Sequence, residues 1–248
     1  MKRIFILAGI LAMLLGIISC SKEKSVELTS PDTPSLKKAG AESYAEYVGV
    51  AEPEISTGTS PHQITVQGNL GVHTSRASFN VLAPDQTVVT FENSNVPPFS
   101  ICTGRGINSA TNNECFSPGA IPEGISLSAS GAEQMVVLTT GFLGLPSTVV
   151  GPNFFAADLN ISFEPGEVNL VGMNLYDPFG PAILDVEVYG LNGVLLGVIS
   201  GVATGTTIPT FFGVIALDQT PITRLRLVQT AGGGGELVDN VSYGLTGD

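Results

Sequence analysis

The segment Ile183-Leu-Asp-Val-Glu-Val-Tyr-Gly-Leu-Asn-Gly-Val-Leu-Leu-Gly-Val-Ile199 predicts two antiparallel strands joined by a tight turn. Its centre, Leu191-Asn192-Gly193-Val194, is typical of a two-residue hairpin, because Asn-Gly suits the positive φ angles of a type I′ turn. Valine, isoleucine and leucine dominate the flanking residues, and these side chains suit a pleated sheet. We therefore predict strands over Ile183–Tyr189 and Val194–Ile199.

Short apolar runs separated by turn residues continue on both sides of this hairpin. Eight of them predict further strands: Thr87–Glu92, Ile125–Ser130, Gln134–Thr140, Leu159–Phe163, Val168–Leu175, Phe211–Leu217, Ile222–Val228 and Leu237–Tyr243. One or two edge strands are expected between His62 and Ala83. The sequence holds 30 Gly and 16 Pro and no pattern for a helix of four turns. We expect an all-β protein, an antiparallel β-sandwich of jelly-roll type with about ten strands.

The amino terminus has the pattern of an export signal. Met1-Lys2-Arg3 precedes an apolar run from Ile4 to Ile18, which is shorter than the ~20 residues that a transmembrane helix needs. Ile17-Ile18-Ser19-Cys20 then resembles the lipobox of bacterial lipoproteins. The resemblance implies cleavage before Cys20, acylation of that cysteine, and a location in the bacterial cell envelope. The serine that follows Cys20 favours the outer membrane.

Three regions follow from these patterns. Residues 1–19 are expected to be a lipoprotein signal peptide, residues 20–60 a flexible tether, and residues 61–248 the β-sandwich domain. The tether is rich in Ser, Thr, Pro and charged residues, as in Ser30-Pro31-Asp32-Thr33-Pro34. Such a composition cannot bury enough apolar surface to offset its conformational entropy.

Charge argues against one class of partner. The formal net charge is −12, and removing Lys2 and Arg3 with the signal peptide changes it to −14. All five lysines lie at or before Lys38. Because phosphate contacts need Lys or Arg, we expect no nucleic acid partner.

Cys102 and Cys115 are the two thiols that remain once Cys20 is acylated. Beyond the cytoplasmic membrane a disulfide is the favoured interpretation, and free thiols are the alternative. A metal site made of two cysteines alone would lack ligands.

The sequence does not indicate an enzyme. Both histidines, His62 and His73, lie near the tether, and no nucleophile-elbow, zinc-protease or phosphate-loop motif is present. The glycine run Gly232–Gly235 is interpreted as a flexible loop. The alternative is a carbohydrate-active enzyme with two catalytic carboxylates. Its candidate carboxylates are Asp158, Glu164, Asp177 and Asp185.

Asp239 is the carboxylate that the strand pattern singles out. Alternation over Leu237–Tyr243 places Asp239 on one face with Leu237, Val241 and Tyr243. A carboxylate on such a face needs a partner. Hydrogen bonds from a neighbouring loop would satisfy it, and so would a calcium ion shared with Glu92.

Two other groups have competing interpretations. Arg224 and Arg226 share one face of a predicted strand, which is typical of a solvated face, with a carboxylate-binding pair as the alternative. Tyr176 and Phe179 flank a predicted loop and are either part of the core or a stacking platform for a sugar.

Several motifs resemble known exported domains. They are Thr90-Phe-Glu-Asn93, Asn108-Ser-Ala-Thr-Asn-Asn-Glu-Cys-Phe-Ser-Pro-Gly119, Ile121-Pro-Glu-Gly-Ile125 and Glu236-Leu-Val-Asp-Asn-Val-Ser-Tyr-Gly244. Together they are similar to exported bacterial β-sandwich domains, and the last resembles jelly-roll modules of the carbohydrate-binding type. The resemblance implies a structural calcium ion held by Glu92 on the first strand and Asp239 on the last.

The function expected from these features is that of a non-catalytic, lipid-anchored envelope protein that binds or displays a ligand. Its expected partners are the membrane, through the lipid anchor, and a glycan or another envelope protein. A carbohydrate-active enzyme and a subunit of an envelope assembly are the alternatives.

Overall fold

The computed structural model describes residues 63–166 and 168–247, which form fifteen strands and one short helix. The predicted signal peptide, Cys20, the whole predicted tether and His62 lie outside the described residues. Within the described part of the chain, no helix is long and apolar enough to cross a membrane.

The strands are short and follow one another closely along the chain. Their bounds are β1 Thr65–Gly68, β2 Leu70–His73, β3 Thr87–Val89, β4 Ile101–Gly104, β5 Ile107–Asn108, β6 Ile125–Ala129, β7 Met135–Leu138, β8 Val149–Pro152, β9 Leu159–Phe163, β10 Leu170–Tyr176, β11 Ala182–Tyr189, β12 Leu195–Ala203, β13 Thr210–Ala216, β14 Arg224–Gly232 and β15 Leu237–Gly244. Helix α1 spans Arg76–Asn80.

Two antiparallel sheets form a sandwich, which confirms the predicted fold class. The first sheet has the order β1-β12-β11-β14-β9-β6-β5, and the second has the order β2-β13-β10-β15-β8-β7-β4. Strand β3 also pairs with β15, with Val89 opposite Val241, so the first predicted strand lies beside the last. The carboxylates that follow β3 and lie in β15 are thereby brought to one side of the second sheet.

All ten predicted strands are present, and the hairpin has the predicted turn. Asn192 and Gly193 have φ angles of 56° and 72°, and the Val194 N–H donates to the Leu191 carbonyl at 3.2 Å. Strands β4, β5 and β8 were missed, since each has four residues or fewer and two of them contain glycine.

The main core lies between the sheets and follows strand alternation. In β9, for example, Leu159, Ile161 and Phe163 are buried in the core, while Asn160 and Ser162 face outward and are half-buried. A side chain on the outer face of either sheet needs its own cover or a polar partner.

The outer face of the second sheet is covered at two places. Helix α1 places the ring of Phe79 over Gly172 and Gly213, which lie directly opposite each other on β10 and β13. A Cβ added at either glycine would come within 2.7 Å of the Phe79 ring. A second apolar cluster covers the other half of this face with loop residues such as Leu145. A strip of polar side chains, called the polar strip below, remains on this outer face between helix α1 and the second apolar cluster.

Candidate binding sites

The disulfide predicted between Cys102 and Cys115 is present. It joins β4 to the following polar loop, with a Cα–Cα distance of 5.7 Å. The Asn113 side-chain oxygen accepts hydrogen bonds from the N–H groups of Cys115 and Phe116, both at 2.9 Å. The loop is therefore closed by the disulfide, and the Asn113 side-chain amide stabilises its conformation.

An open cleft lies beside this clipped loop, along the edge strand β4. Its volume is ≈370 Å³. Its walls combine apolar and polar residues: Asn95, Val96, Pro97, Ile101, Cys102, Thr103 and Glu114. Its volume lies at the lower end of the range for small-ligand sites, and Asn95, Thr103 and Glu114 supply hydrogen-bonding groups.

Phe99 projects from the chain between two residues of this cleft, Pro97 and Ile101. It is 75% exposed although it is an aromatic residue, and its φ of 61° is rare for a side chain of this kind. Its N–H donates to the Thr140 carbonyl at 3.0 Å, and its ring lies against Gly141. The ring is thus held in place from one side and presented to solvent on the other. Backbone strain of this sort is often found at functional sites.

Sequence analysis missed Phe99. The available signal was an aromatic residue placed directly after Pro97-Pro98 and close to Cys102, in a segment with no strand pattern before it. In contrast, Tyr176 and Phe179, which we considered as a sugar platform, do not form one. Tyr176 is 2% exposed within β10, and the Phe179 ring packs edge-on against Phe155 at 5.5 Å.

The two carboxylates predicted to share a calcium ion lie close together on the second sheet. Thr148 donates from its N–H and its hydroxyl to Glu92, at 2.7 and 2.9 Å. The preceding residue, Ser147, donates its hydroxyl to Asp239 at 2.6 Å. Adjacent residues of one loop therefore hold both carboxylates.

The face predicted for Asp239 was wrong in part. Leu237 and Asp239 do share a face, but it is the outer one, whereas Val241 and Tyr243 belong to the main core. The cause is a β-bulge at Asn240, whose φ is 49° and which shifts the register against β10. One extra residue reverses the alternation beyond it.

Asp239 is fully buried, and its environment disfavours a negative charge. Burial raises the pKa of Asp239 to about 6, and the nearby charge of Glu92 adds to the rise. Hydrogen bonds that Ser147 and the backbone of Asn240 donate to the Asp239 carboxylate lower its pKa and oppose this rise. The Asn240 side-chain amide also donates to the carboxylate, at 2.6 Å. The carboxylate has hydrogen-bond partners within the protein.

Arg76 extends the same polar strip towards helix α1. Its guanidinium donates to the Asn240 carbonyl at 2.9 Å and to the Asn174 side-chain oxygen at 3.2 Å, and it lies 4.6 Å above the Phe211 ring. Burial lowers the pKa of Arg76, while the charge of Asp239 raises it. Arg76 therefore ties the helix to the bulge.

The donors around Glu92 and Asp239 fit a calcium ion only partly. The hydroxyls of Ser147 and Thr148 have lone pairs that a cation can accept once the hydroxyls rotate. The N–H groups of Thr148 and Asn240 have none and point at the carboxylates in the present arrangement. Among the described residues, no group of three or more His, Cys, Asp or Glu side chains is placed to hold a metal ion.

The outer face of the first sheet is solvated, as predicted from Arg224 and Arg226. Arg226 forms ion pairs with Asp158 at 2.6 Å and with Glu187 at 3.1 Å, and Arg224 lies 4.0 Å above the Tyr189 ring. Exposed pairs of this kind contribute little to stability.

The four carboxylates considered for catalysis have different environments. Asp158 is paired with Arg226, and Asp177 is fully buried, where Gly234 and Phe179 donate N–H groups to it. Glu164 is exposed in the turn after β9, and Asp185 is half-buried in β11. Asp158 and Asp177 are thus each satisfied by other groups of the domain.

Comparison with known proteins gives weak matches, all at the level of solved structures. No protein-family model matches the chain, and neither does any curated protein. A carbohydrate binding module of family 29 is 11% identical with a TM-score of 0.33, covering 58% of this chain and 92% of its own. The family 11 module of a cellulosomal cellulase of Clostridium thermocellum is 10% identical with a TM-score of 0.29, covering 65% and 95%. The enzymatically active domain of a tailspike protein of bacteriophage CBA120 is 12% identical with a TM-score of 0.28, covering 71% and 19%.

Proposed function

We propose that this chain is a non-catalytic carbohydrate-binding domain displayed at the bacterial cell envelope. The observation that carries the proposal is the exposed ring of Phe99, which lies in the chain between Pro97 and Ile101 of the cleft at β4. A pyranose has an apolar C–H face and a rim of hydroxyls. An aromatic ring held with one side in solvent can stack on the apolar C–H face. The side chains of Asn95, Thr103 and Glu114 can form hydrogen bonds with the hydroxyls.

The site is rigid enough to bind without being ordered by its ligand. The disulfide fixes Cys102 and the Glu114 side of the cleft, and the next residue after Phe99, Ser100, donates its N–H to the Thr139 hydroxyl at 2.9 Å. Because less conformational entropy is lost on binding, a preorganised site keeps more of its contact energy as affinity.

A glycan array tests this proposal. The probe is the full-length lipidated protein in detergent, compared with its Phe99→Ala variant and with Val81→Ala, which removes a side chain that is 79% exposed elsewhere. We expect wild type and Val81→Ala to retain the same glycans and Phe99→Ala to lose them. An array with no signal for wild type would contradict the proposal, and so would equal signals for all three proteins.

Anchoring through Cys20 belongs to the same proposal and rests on the lipobox resemblance. We expect Cys20→Ser to move the protein to a soluble fraction or to leave it as an uncleaved precursor. Fractionation and intact mass would measure this, with the Ser19→Ala variant as a control that keeps a small residue before the cysteine. Membrane retention at unchanged mass in Cys20→Ser would refute lipid anchoring.

The calcium ion at Glu92 and Asp239 is a second element of the proposal, supported by the proximity of the two carboxylates. An ion that binds the folded state alone stabilises it by ~2.7 kcal/mol at a hundredfold excess over Kd. We expect EDTA to lower the melting temperature by several degrees in the wild type and by less in Asp239→Ala. Coinciding melting curves of the wild type in EDTA and in millimolar calcium would show that protein donors alone satisfy Asp239.

A role in an envelope assembly is the second candidate function. The tip of the β11–β12 hairpin exposes Leu191, Val194 and Leu195 to 45–58%. Neighbouring exposed apolar residues are typical of protein contacts. Changing Leu191 and Leu195 to serine would abolish crosslinking to an envelope protein if this candidate holds, and would leave glycan retention intact.

A further inference from the structure

Two buried carboxyl groups lie next to the last paired residues of β10 and β15, where β10 ends and β15 begins. The last pair of this ladder is Tyr176 with Leu237, so the next step places Asp177 opposite Glu236. Tyr176 and Leu237 lie in the outer apolar cluster, and alternation turns Asp177 and Glu236 to the other side. Both are almost fully buried, at 0% and 1% exposure. Like charges directly opposite each other in a sheet are destabilising.

Glu236 has an acceptor without a hydrogen-bond partner. Its Oε2 atom is buried and receives no hydrogen bond within the described part of the chain. Burial is the main cause that raises the pKa of Glu236 to about 8, and the charges of Asp158 and Asp177 add to the rise. Hydrogen bonds from the backbone of Glu236 and of Gln229 act in the opposite direction and lower the pKa. A buried acceptor left unsatisfied costs about 1–3 kcal/mol, and more when it is charged.

Gln229 has a second buried oxygen without a hydrogen-bond partner within the residues that the structure describes. Its backbone is within hydrogen-bonding reach of the Glu236 carboxylate, and its side-chain Oε1 is buried without a partner among the described residues. Its amide nitrogen donates to the Gly232 carbonyl. The glycine run that follows folds back onto the sheet end, with Gly234 donating its N–H to Asp177.

We propose that Glu236, Gln229 and Asp177 form a binding site for a calcium ion at this end of the sandwich. Oxygens alone are offered, as carboxylates and an amide, and calcium prefers six to eight such ligands. Zinc would need His or Cys ligands, and magnesium would need a stricter octahedron. The site differs from the pair Glu92 and Asp239 in that Glu236 and Gln229 each have a buried oxygen without a hydrogen-bond partner among the described residues.

Equilibrium dialysis with calcium chloride alone tests this site. The full-length protein in detergent is stripped with EDTA, and bound calcium is counted by atomic absorption. We expect Glu236→Gln, which has nearly the same shape, to bind one ion fewer per chain, or that ion at least tenfold more weakly. Asp239→Asn should keep this ion. At a hundredfold excess over Kd this ion should raise the melting temperature by about 5–10 °C in Asp239→Asn, and the double variant with Asp239→Asn and Glu236→Gln should show no rise.

Other outcomes would overturn the inference. If wild type binds no calcium, Glu236 is neutralised by a proton, and both this site and the Glu92–Asp239 site are refuted. If Glu236→Gln binds all the calcium that wild type binds while Asp239→Asn loses it, the ion lies at Glu92 and Asp239. Gln229→Glu gives an independent readout should Glu236→Gln unfold. A third charged ligand should tighten binding at least threefold, and unchanged or weaker binding would contradict the assignment.

Discussion

Replacing Phe79 with alanine is expected to lower the free energy of unfolding by about 3–5 kcal/mol, the range for deleting a fully buried aromatic ring. Phe79 has no exposed surface, and it fixes helix α1 to the second sheet. Its ring also makes an edge-on contact with Phe211 at a centroid distance of 5.4 Å. Urea denaturation of the full-length protein would measure the loss. Val81→Ala, two residues further on and exposed, should change it by less than about 0.5 kcal/mol.

A double-mutant cycle with Gly172 identifies the contact. Gly172→Ala alone should destabilise the protein, because its Cβ would lie 2.7 Å from the Phe79 ring. In the Phe79→Ala background the added methyl group has space, so its cost should fall sharply. Additive effects of the two substitutions would show that the ring does not occupy the space that Gly172 and Gly213 leave.

Removing the disulfide by changing Cys102 and Cys115 together to alanine is expected to destabilise the domain by about 3 kcal/mol in the chain-entropy model. In that model the loss of stability depends on the length of the closed loop, and the two cysteines are 13 residues apart. Denaturation of wild type with reductant should give a similar loss, and reductant should have no effect on the double variant. Equal stability with and without the bond would mean that the loop holds its shape through Asn113 alone.

The same double variant should weaken glycan binding. Cys102 and Glu114 both line the cleft, and the bond fixes their distance. Affinity should therefore fall while the Phe99 ring stays in place. Full affinity for the glycan in the absence of the disulfide would show that the cleft is not the binding site.

Local signals in the sequence were sufficient for the sandwich. The turn at Asn192-Gly193 depends on the two residues that form it, and the strand β9 was predicted with its observed bounds. The disulfide followed from there being one pair of cysteines beyond Cys20. Each of these features depends on residue types that have few structural alternatives.

Features that depend on distant partners were not predicted. The bulge at Asn240 reverses the alternation of β15, and its carbonyl is held by Arg76, 164 residues earlier in the chain. The orphaned oxygen of Glu236 likewise depends on where Gln229 and Asp177 are placed by pairing. The alternation of apolar and polar residues in a sequence does not reveal a β-bulge. The alternation looks regular on both sides of the inserted residue.

Isothermal titration of the full-length protein in detergent with a glycan selected on the array measures the central claim most directly. Losing the contact area of one aromatic ring should cost about 1.5–3 kcal/mol, or roughly a 10- to 100-fold weaker affinity. We predict that loss for Phe99→Ala and none for Val81→Ala, with calcium present throughout. Equal affinity of wild type and Phe99→Ala would contradict a carbohydrate site at the cleft beside β4.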